Sequence, residues 1–124
     1  MDIDKIAEAL SQITAVYRNE FDLQRAVGEV LAKFGSVQRE VSRPCAAGAH
    51  FGRDRFDFFV DGELVVEVKI DGSLSALTRQ IVRYLAHTDV KGVIVITSKS
   101  SHLGLLRDIN GKPVRVAHLV VGAL

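Results

Sequence analysis

The chain has 124 residues, is 48% apolar and carries a formal net charge of +1 from 16 basic and 15 acidic side chains. That length supports a single hydrophobic core, so one domain spanning 1–124 is expected, and the composition is that of a globular domain rather than a disordered segment. Near-balanced charge excludes a strongly cationic nucleic-acid coat protein but leaves room for a local basic track.

The opening residues, Met1-Asp2-Ile3-Asp4, are acidic and unlike a secretory signal. Ile3, Ile6, Leu10, Ile13 and Tyr17 recur at spacings of three and four, which predicts an amphipathic helix. Asn19 is placed to cap a second helix, with Glu20 in its first turn, running through Leu23, Val27, Val30, Leu31 and Phe34 to Gly35. A strand is expected over Ser36–Arg43, followed by a small-residue loop from Pro44 to Gly52. Cys45, in that loop, is the single cysteine; no internal disulfide can form, and a reducing, cytoplasmic setting is expected.

Strands are predicted over Arg55–Val60 and Leu64–Ile70, joined through Asp61-Gly62, a hairpin signal. Asp71-Gly72-Ser73 breaks the chain before a third helix carrying Leu74, Leu77, Ile81, Val82 and Leu85 to about His87. Gly92–Thr97 is a continuous apolar run, the mark of a strand covered on both faces. A short helix near Leu103–Ile109, a turn at Asn110-Gly111 and a last strand, Val114–Val121, complete the chain. No apolar run reaches membrane-spanning length. Together these elements predict an α/β domain with a mixed central sheet flanked by helices.

The chemistry concentrates in Phe56-Asp57-Phe58-Phe59-Val60 and Glu67-Val68-Lys69. Side chains alternate faces along a strand, so Glu67 and Lys69 point one way and Val68 the other, into the core. Asp57 and Glu67 on neighbouring strands make a hard oxygen site suited to Mg²⁺ or Mn²⁺. A lysine beside them can orient the attacking water and offset charge on a phosphate. One constraint follows from register. A two-residue loop would set Asp57 opposite Val66 and turn the acids to different faces; a shared face needs a three-residue loop or a bulge, and the irregular hairpin is expected.

These residues resemble the signature of the PD-(D/E)XK nuclease superfamily, an Asp on the second core strand and (D/E)-x-K on the third. Phe56 stands where the usual proline would be. Gln80-Ile81-Val82-Arg83-Tyr84 is similar to the Q-x-x-x-Y motif of RecB-like members, and Glu20 with Gln24 to the helix glutamate of those nucleases and of archaeal Holliday-junction resolvases. The resemblance covers roughly Glu20 to Ile96. It implies a restriction-endonuclease-like αβββαβ core and DNA phosphodiester hydrolysis. It also implies a metal held by Glu20, Asp57, Glu67 and the Val68 carbonyl, catalysis by Lys69, and closure of the site by Gln80 and Tyr84.

Arg43, Arg53 and Arg55, with Gln24, are expected to contact DNA phosphates beside the metal. His50, His87, His102 and His118 lack zinc-site spacing, Cys45 lacks a histidine partner in sequence, and the glycine-rich loops of nucleotide-binding proteins are absent. Two other classes stay open: a silent nucleic-acid-binding module on the same fold, and an assembly subunit built through the apolar C-terminal strand. The same apolar strand leads to an expected homodimer. The small size leaves room for a partner protein that supplies specificity.

Overall fold

The computed structural model describes residues 1–13, 20–46 and 52–119. Helix α1, Ile3–Ser11, starts where the Asp2 side chain accepts a hydrogen bond from the Lys5 N–H at 3.0 Å, capping the first turn. Helix α2, Glu20–Leu31, buries Leu23, Val27 and Leu31 along one stripe. The expected continuation of α1 to Tyr17 and the cap at Asn19 lie outside the described residues.

Three strands follow: β1 (Val37–Pro44), β2 (Arg53–Val60) and β3 (Leu64–Lys69) form an antiparallel meander. Ser73 then caps α3, Leu74–Leu85, accepting from the Ala76 N–H at 3.1 Å. Strand β4, Gly92–Thr97, returns parallel to β3, with α3 supplying the crossover that a parallel pair needs. The segment expected as a helix near Leu103–Ile109 is different: a 3₁₀ turn at Ser100–Gly104 precedes a two-residue strand, β5 (Asp108–Ile109). Asn110-Gly111, with φ of 55° and 73°, makes the tight turn into β6, Lys112–His118. Of the leucines in that segment Leu105 enters the core while Leu103 and Leu106 are 52% and 66% exposed, so one leucine and not an apolar face anchors it.

Among the described residues the molecule therefore has three α-helices and a six-stranded mixed open sheet in the order β1-β2-β3-β4-β6-β5. Strand β6 pairs with β4 over Val114–His118 and with the short β5 only at Lys112 and Pro113; the expected strand's end at Val121 lies outside the described residues. Among the described residues no helix is long and apolar enough to cross a membrane.

Helices cover both faces. Ile6 and Leu10 of α1, with Leu23, Val27 and Leu31 of α2, pack on Phe58, Val60, Val66, Val68, Ile94 and Ile96. On the opposite face, Leu77, Ile81, Tyr84 and Leu85 of α3 pack on Phe56, Phe59, Val65, Val93 and Val95. Phe56 and Phe58 thus lie on opposite faces although two residues apart, where a regular strand would put them on one. The switch has a visible cause. The β1–β2 ladder pairs Arg39 with Phe58 and Val41 with Phe56 but omits Glu40 opposite Asp57, and Glu40 takes a φ of 51°. A left-handed non-glycine residue inside a strand costs about 1–3 kcal/mol and marks a place where the surroundings impose the conformation.

Candidate active site

Register brings the acids together. Val60 pairs with Leu64 across a three-residue loop, Asp61-Gly62-Glu63, in which Asp61 and Gly62 have φ of 51° and 66°. The ladder pairs end at Phe58 and Val66, so the next residues, Asp57 and Glu67, face each other where the ladder stops. Their side chains replace the missing rungs. The Asp57 N–H donates to Glu67 Oε1 at 3.0 Å, and the Val68 N–H donates to Asp57 Oδ2 at 2.8 Å. Each carboxylate therefore spends one oxygen on the backbone of the other strand, which fixes both groups without help from a flexible loop.

Glu67 is 2% exposed. Burial first, and then the neighbouring Asp57 charge, push its carboxyl well above the usual range; the Asp57 N–H and Lys69 oppose them, and a hydrogen bond between the two carboxyls adds to the rise. Two carboxyls close enough to share a proton in a desolvated site are a strong demand for positive charge. Lys69, two residues on, sits on the same side of β3 and acts on Glu67 and on Glu20.

Glu20, at the start of α2, completes the acidic surround less closely. Partial burial and the charges of Asp57 and Asp71 raise its carboxyl, and Lys69 opposes the rise. Among the described residues no three His, Cys, Asp or Glu side chains lie close enough to share one ion, so Glu20 stands outside the Asp57–Glu67 pair. Gln24 and Asp57 line a groove of about 630 Å³ between α2 and the β1–β2 ribbon, with Phe21, Arg25 and Arg39.

Gln80 and Tyr84 act from the other face. Gln80 Nε2 donates to the Tyr84 hydroxyl at 2.8 Å, and that hydroxyl donates to the Arg55 carbonyl at 2.6 Å. The Tyr84 ring meets Phe56 edge-on, with centroids 4.9 Å apart. Burial and then the Glu67 charge push the Tyr84 hydroxyl far above its ordinary range, so it stays a proton donor. The pair braces α3 against β2 two residues from Asp57, with the Tyr84 hydroxyl near enough to feel the Glu67 charge.

The arginines expected along the phosphate backbone each have a partner within the chain. Arg43 pairs with Asp89 at 2.5 Å and lies over Phe59 at 4.9 Å. Arg55 pairs with Glu40, and Arg53 donates to the Ser42 hydroxyl at 2.8 Å. His50 lies outside the described residues.

Two buried polar clusters were not read from the sequence. Asp54, 1% exposed, accepts from His87 Nε2 at 2.8 Å and from Arg83 Nε at 3.3 Å. Burial alone would raise its carboxyl, but hydrogen bonds from His87, Cys45 and Arg83 overcome it and hold the group below its usual value. His102, fully buried, lies between the Thr97 hydroxyl at 2.7 Å and the Gly72 carbonyl at 2.9 Å, pinning the turn after β3. The available signal for the first cluster was Arg83 four residues before His87, near Tyr84, at the end of the expected third helix. No signal marked the second, because Gly72 and His102 are far apart in sequence.

No family model matches the chain, and no similar protein was found among curated proteins or solved structures.

Proposed function

We propose that this chain is a metal-dependent nuclease hydrolysing DNA phosphodiester bonds, on a fold of the PD-(D/E)XK type. The observation that carries this reading is the crossed Asp57–Glu67 pair, each carboxylate anchored on the other strand's backbone, with Lys69 beside it. The order α2, antiparallel β1–β2–β3, α3, parallel β4 supports the fold assignment, since it is the helix, meander, helix and strand of that superfamily's core.

The donor set fits a hard divalent cation. Mg²⁺ is commonly held by one or two carboxylates, with waters and substrate phosphate completing the shell. Asp57 and Glu67 would hold Mg²⁺ or Mn²⁺. The Val68 carbonyl leaves β3 on the same side as the N–H bonded to Asp57, so it faces the pair. When bound, the cation would lower the pKa of water and neutralise charge on the phosphate.

The side chains divide the remaining tasks. Lys69 Nζ donates to a non-bridging phosphate oxygen and directs the attacking water, whose oxygen bonds to phosphorus and whose proton passes to solvent. The P–O ester bond breaks in the same step, and the leaving oxygen takes a proton from solvent. Glu67 is shielded from solvent, which strengthens every charge interaction around it. Tyr84 and Gln80 keep β2 in place under Asp57.

The test is incubation of purified protein with labelled single-stranded, duplex and branched DNA in Mg²⁺, Mn²⁺ or chelator. Cleavage that needs the metal and is lost in Asp57→Ala supports the reading. Absence of cleavage of every substrate by folded protein in both metals overturns it, and DNA binding without cleavage would then identify a silent binding module.

A further inference from the structure

The cleft of about 380 Å³ between the end of β3 and the first half of α3 is lined by Lys69, Asp71, Ser73, Arg79, Gln80 and Arg83, among others. It shares no lining residue with the α2 groove. Arg83 reaches Asp54. Lys69 and Arg79 differ from Arg43, Arg53 and Arg55, because neither makes a hydrogen bond or ion pair with any described residue. Asp71 is the acid among the lining residues, so the cleft is cationic. Its lip is rigid: the buried His102 bonds the Gly72 carbonyl, and Gly72 with φ of 92° turns the chain into the capped start of α3.

We propose that this cleft is a phosphate-binding subsite, in which Arg79 and Lys69 hold a backbone phosphate of the nucleic-acid strand next to the one at Asp57 and Glu67. The identity of the occupant rests on the nuclease reading above; the anion chemistry rests on the cleft itself. A volume more than ten times that of one water, at about 30 Å³ each, admits a tetrahedral phosphate with its hydration. Arg79 presents a planar fork of donors suited to two phosphate oxygens, and Lys69 a point charge shared with the cleavage site. The strand is thereby drawn across the α3 face and away from the part of the β1–β2 edge where Arg43, Arg53 and Arg55 already have partners.

The subsite is tested by binding of labelled single-stranded and duplex DNA to the full chain in chelator, over a range of salt. Arg79→Ala should weaken binding and lower the slope of log K against log salt by about 0.7–0.9, one phosphate contact, with Arg79→Lys recovering most of the slope. Arg107→Ala, an exposed arginine beside Asp4, serves as control and should leave the slope unchanged. With metal, Arg79→Ala should raise KM with little change in kcat. An unchanged slope in Arg79→Ala, or no DNA binding by the wild-type protein, overturns the subsite. A changed slope without cleavage by wild type upholds it while rejecting the nuclease reading; unchanged slope with normal cleavage does the reverse.

Discussion

Replacing Glu67 by Gln should make the protein more stable at neutral pH when metal is absent. The folded state holds the Glu67 carboxyl well above its ordinary value of 4.5, through burial and the Asp57 charge. From about 4.5 upward the native state therefore keeps a proton that the unfolded chain has lost. Stability then falls as pH rises, by at most about 1.36 kcal/mol per pH unit for one proton, until the folded-state value is passed. Below 4.5 both states are protonated and the group contributes no slope. The amide introduced by Glu67→Gln would keep the acceptor for the Asp57 N–H and offer an N–H₂ donor to the Asp57 carboxylate, reproducing the protonated form at every pH. Urea melts of both proteins in chelator at half-unit steps from pH 5 to 8 give the difference directly, and the raised Glu20 and lowered Asp54 and Asp89 cancel in it. Saturating Mg²⁺ or Mn²⁺ should stabilise the wild type by about 2.7 kcal/mol at a hundred times Kd, and the variant by much less. A stability difference that stays flat across this range would refute the account of Glu67.

Lys69→Ala should reduce cleavage by about 10²–10³-fold in a single-turnover assay, since it removes one preorganised electrostatic group, while metal still binds. Tyr84→Phe leaves the Arg55 carbonyl without its donor and should cost about 1–3 kcal/mol in denaturant melts, with activity falling only as β2 loosens. Asp54→Ala strips the partner from His87 and Arg83 at a fully buried position, and a loss of about 3–5 kcal/mol is expected by the same measurement.

Much of the framework could be read from local pattern. The apolar run Gly92–Thr97 became a strand with the same bounds, and Asn110-Gly111 became the turn that its left-handed preference demands. The requirement that Asp57 oppose Glu67 could be stated from register alone, and the three-residue loop meets it. What escaped was set by contacts between distant segments. Arg43 looks like a free cation until Asp89 and the Phe56 and Phe59 rings are placed beside it. Asp54 sits in the charged run Arg53-Asp54-Arg55 and reads as solvated, yet Arg83 and His87, about thirty residues later, draw it inside. Spacing along one element reveals its own periodicity; it carries no information about which charge on another element will arrive opposite.

The face switch at Glu40 and Asp57 also governs how the sheet can be misassembled. In a regular strand a slip of two residues returns every side chain to its own face, so it is the inexpensive error. In β2 such a slip would carry the switch point away from Glu40, sending Phe56 or Phe58 into the wrong layer while α2 and α3 both lose a packed ring. Both helical layers would report the mistake at once, so the left-handed Glu40 works as a keyed joint. The carboxylate pair stands at that joint, and a sheet that closes around its two cores has already aligned its acids.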